Sequence, residues 1–300
     1  MSDTPQDTTR PTHDGYVNGA GVRLHYIEWG QQTDKTPLLL LHGLASAARI
    51  WDLVAPTLAR DRRVVALDQR GHGQSEKPDH GYDFATMSAD DIAAVDALGL
   101  GERFAVAGHS WGANVALELA AAHPDRVAAL ILVDGGFGML RQRPGATWEQ
   151  ISVQLAPPNF AGTPRETFLG WIHAEMPDAR PEVDDIELNI VELRPDDTVG
   201  PRLSRENHLK ILRAMWDEEP DQIFSKIVAP TCYILAEPAN PTQDDAFLAA
   251  KRAGVAQAHT LMSHAPRVEV VWMANSIHDI PLQRPDELAA SMAQFLAEVE

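Results

Sequence analysis

The sequence is short of cysteine, of basic residues and of long apolar runs. Cys232 is the one cysteine in 300 residues, which excludes an internal disulfide framework and a thiolate-built metal cluster. Its apolar neighbours mark it as a buried, inert thiol. Lys and Arg number 25 against 43 Asp and Glu, a formal net charge of −18. Such a field repels phosphate backbones and anionic headgroups, so neither nucleic acid nor a membrane surface is an expected partner. Apolar runs such as Leu38 to Leu41 and Ala128 to Val133 fall far short of the roughly 20 residues that cross a bilayer. Met1-Ser2-Asp3-Thr4-Pro5-Gln6-Asp7 has neither the basic start nor the apolar stretch of a secretory signal, so the expected location is the cytoplasm. A His-Glu-x-x-His pattern and a Gly-rich phosphate loop closed by Lys and Ser/Thr are both missing, and no metal or other cofactor is expected.

What is present describes a folded chain. At 44% hydrophobic and 23% charged residues the composition is that of a globular protein, and the length allows two domains or one large α/β unit with an insertion. Residues 1–14 are polar, carry Pro5 and Pro11, and read as a flexible leader. Val22 to Trp29 alternates loosely, as an edge strand does. Leu38 to Leu41, Arg63 to Asp68, Phe104 to Gly108 and Ala128 to Asp134 are continuous apolar runs without polar alternation, the pattern of strands covered on both faces. Helical stretches lie between them: Ile50 to Ala59, Thr86 to Leu98, and Ala113 to His123, closed by Pro124. Strand and helix in alternation indicate parallel strands joined by helical crossovers, with ligands at the carboxyl ends of the strands.

The alternation stops after Phe137. Residues 138–222 hold scattered prolines, Trp148, Trp171, Trp216 and amphipathic pieces such as Glu166 to Met176 and Arg205 to Trp216, with no clear strand. Strands resume with Thr231 to Ala236 and Val268 to Ala274, and a helix from Pro285 to Val299 follows. The division is therefore a leader (1–14), an α/β core (15–137 and 223–300) and a helical insertion (138–222).

The chemistry starts at Gly108-His109-Ser110-Trp111-Gly112. Two glycines and a serine recur in many loops by chance, but this set follows a buried strand and opens a helix, the setting the Gly-x-Ser-x-Gly turn needs. The glycines let the chain bend sharply and leave the Ser110 hydroxyl exposed at the strand tip as a nucleophile.

With His42-Gly43-Leu44 after the first long apolar run and Asp68-Gln69-Arg70-Gly71-His72-Gly73-Gln74-Ser75 after the next, the chain resembles the α/β-hydrolase superfamily over most of its length outside the leader and the insertion. The resemblance implies a mostly parallel central sheet flanked by helices, with a helical cap inserted after the strand that ends at Asp134. A serine hydroxyl needs a base, and histidine has the suitable pKa. Of twelve histidines, His278 follows the late strand and precedes the terminal helix, where members of the family carry their catalytic histidine. His109 adjoins the nucleophile at a diverging turn and is expected to pack or orient locally. His42 and His72 read as loop-forming members of their motifs, and His173 and His208 as surface residues of the cap.

The acid that should orient the base departs from the commonest family pattern. Many members carry it just after the strand matching Thr231 to Ala236, but Ala236-Glu237-Pro238-Ala239 puts an alanine in that place. Other members, certain lactone hydrolases and dehalogenases among them, carry it at the strand end that Asp134 occupies here. Asp134 is thus the expected acid, with Asp244, Asp245 and Glu237 as alternatives and a turn role beside Gly135 as the plain reading. Asp68 and Asp279 read as structural. The oxyanion formed by attack on a carbonyl would meet the main-chain N–H groups of Leu44 and Trp111.

Members of the superfamily that open epoxides or remove halides use aspartate as nucleophile, so Ser110 points to acyl chemistry. The expected activity is hydrolysis of a carboxylic ester or lactone through an acyl-enzyme. Thioester or C–C bond hydrolysis on the same site is an alternative, as is a ligand receptor or scaffold without turnover. The expected partner is a small-molecule acyl substrate; the sequence leaves a homo-oligomer open. Trp148, Phe160, Phe168, Trp171 and Trp216 are candidates for a cavity wall, with mutual packing the expected role of most.

Overall fold

The continuous apolar runs become the interior of one sheet. The computed structural model describes residues 10–138, 140–142, 145–239 and 245–300. Its strands are β1 (His13–Asn18), β2 (Arg23–Trp29), β3 (Leu38–Leu41), β4 (Val64–Leu67), β5 (Phe104–His109), β6 (Val127–Val133), β7 (Thr163–Pro164), β8 (Glu192–Leu193), β9 (Thr198–Gly200), β10 (Thr231–Glu237) and β11 (Val268–Ala274). Eight of them form the central sheet in the order β1-β2-β4-β3-β5-β6-β10-β11. From β4 to β11 every neighbouring pair is parallel, and β1 and β2 add an antiparallel margin.

The helices are α1 (Ala55–Leu58), α2 (Phe84–Leu98), α3 (Trp111–Ala122), α4 (Trp148–Gln154), α5 (Arg165–Glu175), α6 (Glu182–Ile190), α7 (Arg205–Asp217), α8 (Pro220–Phe224), α9 (Asp245–Leu261), α10 (Ile280–Gln283) and α11 (Pro285–Val299). Successive strand residues face opposite sides, so Leu39 and Leu41 join a core with Val115 and Leu119 of α3, while Leu38 and Leu40 join another with Leu288, Met292 and Phe295 of α11. Burial on both faces is the reason these strands carry no polar alternation. Local chemistry sets the helix ends. The Asp83 carboxylate accepts the Thr86 N–H at the start of α2, and Gly99, at φ 61°, ends it.

The structure corrects several expectations. Val22 to Trp29 is not the edge: β1 lies outside it, and its polar, mostly exposed residues bond β2 through the main chain. β1 starts at His13, so the ordered fold reaches into the segment read as a leader. Ile50 to Ala59 divides into a 3-10 turn, Ala48–Trp51, and the short α1. Among the described residues, the insertion between β6 and β10 contains five α-helices and also a small antiparallel sheet, β7-β9-β8. Strands of two or three residues are too short to leave a periodic signature. Among the described residues, no helix is long and apolar enough to cross a membrane.

Candidate active site

β5 is buried along its whole length and delivers Ser110 at its carboxyl end, where α3 begins. Ser110 adopts φ 54° and ψ −122°, and its N–H donates to the Val133 carbonyl at 2.8 Å. The bend is possible because its neighbours lack side chains. A Cβ on Gly108 would lie 2.1 Å from the Gly112 carbonyl oxygen, and one on Gly135 would lie 2.1 Å from the Ser110 carbonyl oxygen. Chain packed so closely around a turn holds the strained serine conformation in place.

His278, in the loop between β11 and α10, reaches Ser110 from 168 residues away: its Nε2 is 2.8 Å from Ser110 Oγ. Its Nδ1 is 2.7 Å from Asp134 Oδ2. With Nδ1–H donating to the carboxylate, Nε2 is left to accept the serine proton. Asp134, at φ 43°, directly follows β6, and its N–H donates to the Ile234 carbonyl at 2.9 Å. The structure thus brings Ser110, His278 and Asp134 into one chain of hydrogen bonds.

The second carboxylate oxygen is also occupied. Asp134 Oδ1 accepts the Ala236 N–H at 2.9 Å and the Lys251 ammonium at 2.7 Å, and the same ammonium donates to the Ala236 carbonyl at 3.1 Å. The Asp134 and Lys251 side chains are 3% and 4% exposed, whereas the His278 imidazole is 53% exposed. Burial works to raise the Asp134 pKa, but its bonds and charge interactions with His278 and Lys251 hold it below the usual carboxylate range. Desolvation works to lower the His278 pKa; the Asp134 carboxylate outweighs it and the imidazole lies above its ordinary value, with Lys251 opposing the rise.

His109 sits against His278. Its Nε2–H donates to the His278 carbonyl at 2.9 Å, and the two rings are 4.9 Å apart. Burial first, and then the nearby His278, push His109 down to about 4. His42 braces the neighbouring loops: Nδ1–H donates to the Gly43 carbonyl and Nε2 accepts the Gln69 N–H. The Asp68 carboxylate accepts from Ala48, Gln74 and His25, a structural set. Burial works to raise its pKa, but the His25 bond and the other donors hold it far below the usual carboxylate range.

Of the alternative acids, Glu237 is paired with Arg252 instead of His278. Asp244 and the Asp245 side chain lie outside the described residues. Leu44 and Trp111 line the cavity beside Ser110, and among the described residues neither main-chain N–H has a protein acceptor. Trp111 is the first residue of α3, where helix N–H groups are free to bind an anion.

The cavity holds about 710 Å³. The insertion contributes Leu140, Leu155, His208, Leu212 and Met215 to its wall, whereas the five aromatic candidates are absent from it and pack in pairs, Trp148 on Trp216, and Phe168 against Phe160 and Trp171. His173 pairs with Asp184 near the surface, as expected. His208 does not stay at the surface: it is 6% exposed and its Nε2–H donates to the Leu155 carbonyl at 2.9 Å. One helical turn before Leu212, it shares the buried face of α7.

Lys251 escaped the sequence reading. Its signal is a lone lysine on the apolar face of α9, between Phe247 and Val255 at four-residue spacings.

Comparison with known proteins agrees with this architecture. The model of the α/β hydrolase fold family matches residues 36–171. The soluble epoxide hydrolase of Corynebacterium sp. (strain C12) is 38% identical over 129 residues, 43% of this chain and 43% of that protein. The chain spans less than half the length of the curated relatives it matches. Among solved structures, E-2-(acetamidomethylene)succinate hydrolase superposes with a TM-score of 0.76 at 18% identity, over 95% of this chain and 99% of that one. The enol-lactonase from Burkholderia xenovorans LB400 does so with a TM-score of 0.67 at 20% identity, over 94% and 99%. Likeness at those identities concerns the fold, which is the α/β-hydrolase fold. Over residues 36–171 the chain is similar to the α/β hydrolase fold family.

Proposed function

We propose that the protein is a serine hydrolase of neutral carboxylic esters or lactones, with Ser110 as nucleophile, His278 as general base and Asp134 as the acid that orients it. The observation that carries this reading is the pair of short hydrogen bonds on the two ring nitrogens of His278, 2.8 Å to Ser110 Oγ and 2.7 Å to Asp134 Oδ2. Ser110 Oγ attacks the acyl carbon while its proton passes to His278 Nε2, and Asp134 stabilises the imidazolium that forms. The Leu44 and Trp111 N–H groups take up the developing oxyanion. The imidazolium then protonates the leaving alkoxide, and a water activated by His278 releases the acid from Ser110.

A serine at the elbow, where opening an epoxide or displacing a halide uses an aspartate in this superfamily, supports acyl transfer. The cavity wall supports a neutral acyl group with apolar parts: leucine is its commonest residue, and Lys251, the one Lys or Arg among the described lining residues, is already paired with Asp134. The insertion, residues 138–222, acts in this reading as a cap that sets acyl size. The test is a screen of p-nitrophenyl esters, lactones and thioesters of graded chain length, beside labelling with a fluorophosphonate. Turnover of neutral esters or lactones and labelling confined to Ser110 support the proposal. Absence of turnover, with ligand affinity indifferent to Ser110→Ala, turns the protein into a binding module.

A further inference from the structure

Asp134 divides its carboxylate between two side chains, His278 and, on the far side, a lysine with almost no exposure. Lys251 Nζ sits 2.7 Å from Asp134 Oδ1 and 3.1 Å from the Ala236 carbonyl, and Ala236 N–H closes the ring on Oδ1 at 2.9 Å. The ammonium also lies 5.6 Å from the Phe137 ring centre and 5.5 Å from that of Phe247. Among the described residues, Ala236 N–H is the one main-chain donor to Oδ1, and Lys251 supplies the second bond. Burying an ammonium there is costly unless it is fully paired, so the arrangement needs a reason beyond filling space.

We propose that Lys251 is a positioning residue for the base: it locks the Asp134 carboxylate with Oδ2 turned to His278, and by sharing the carboxylate's charge it sets the pH at which His278 becomes free to accept a proton. The inference rests on the hydrolase reading above. A carboxylate facing only the imidazole would hold the imidazolium more tightly; one already half-neutralised by a buried ammonium holds it less, and the base works at lower pH. The groups facing His278 are Asp134 from the end of β6, His109 from β5, Asp279 beside it in its own loop, and Lys251 from α9 behind the carboxylate. From the insertion, Glu187 of α6 lies near Asp279, and burial first and then this neighbour push it up to about 8. Lys251 is the one Lys or Arg in that group, so its removal has one sign.

Lys251→Gln tests this with the packing preserved, because the amide still donates to Asp134 and Ala236 but carries no charge. Lys251→Arg keeps the charge on a different fork. The imidazole of His278 is followed by NMR titration in the full chain, assigned by its loss in His278→Gln, and the kcat/KM profile on the best ester is recorded in parallel. Lys251→Gln should raise the His278 midpoint by about one pH unit and carry the acid limb of kcat/KM with it, while Lys251→Arg leaves the midpoint near that of the parent and lowers kcat. A His278 midpoint in Lys251→Gln equal to the parent's overturns the proposal, whatever happens to the rate. Because the titration is read without substrate, it is independent of the hydrolase reading, which fails separately if Ser110→Ala still turns over esters.

Discussion

His109 donates its Nε2–H to the main-chain carbonyl of His278 at 2.9 Å, so the residue before Ser110 holds the backbone of the residue proposed to activate it. The bond ties the end of β5 to a loop far along the chain. Replacing His109 with leucine removes the tether and leaves the His278 carbonyl short of a donor. The expected loss in kcat is about 5- to 10-fold, the scale of one neutral hydrogen bond, with KM nearly unchanged. Steady-state kinetics on one ester checks it; a larger loss in KM than in kcat would place His109 in substrate binding instead.

Ser110→Ala should lower kcat by about 10⁶-fold, as loss of the nucleophile does where the residues act as a unit. Fluorophosphonate labelling should vanish as well. The fold should persist, because the Ser110 main-chain bond to Val133 survives the change. Circular dichroism and mass spectrometry of the labelled protein give the comparison.

Asp134→Asn combines two effects. The imidazole loses the carboxylate that selects its tautomer, for a drop in kcat of about 10⁴-fold. Lys251 loses its counter-charge in a site where both side chains are nearly inaccessible, at a stability cost of about 3–5 kcal/mol. Urea unfolding of this variant and of Ser110→Ala separates the two: only Asp134→Asn should unfold early.

Gly135→Ala tests the close packing behind Ser110. The added Cβ would meet the Ser110 carbonyl oxygen at 2.1 Å, so chain must move. A loss of about 3 kcal/mol is expected, at the upper end for overpacking, together with a fall in fluorophosphonate labelling rate at temperatures where the variant is still folded.

The pH dependence has a definite sign. His278 must be neutral to accept the serine proton, and its pKa lies above the ordinary imidazole value because Asp134 outweighs desolvation. Activity should therefore rise with pH on a limb centred above that of a free imidazole and be lost below it. A raised histidine pKa stabilises the fold at pH below its unfolded value, and that contribution disappears as pH rises through the folded one. Asp134, whose pKa is lowered, contributes above its unfolded value and loses its contribution as pH falls through the folded one. The stability gap between the parent and His278→Gln, measured by thermal unfolding, should narrow as pH climbs through the kinetic limb.

The sequence by itself determined the layered α/β core, the sharp turn at Ser110 and, to within one residue, the ends of β6, β10 and β11, because burial on both faces and the Gly-x-Ser-x-Gly bend are local properties written in consecutive residues. It also placed His278 and Asp134 among the candidates by their positions at strand ends. It left open whether Asp134 or a residue after β10 meets the imidazole, since that depends on which strand tips adjoin, and β6 lies beside β10 only once the sheet is assembled. Tertiary structure alone decided the inward turn of His208, the two- and three-residue strands of the insertion and the Lys251 bond to Asp134. Each is a contact between segments distant in the chain, and the free energy that selects it comes from pairing and burial that no single segment contains.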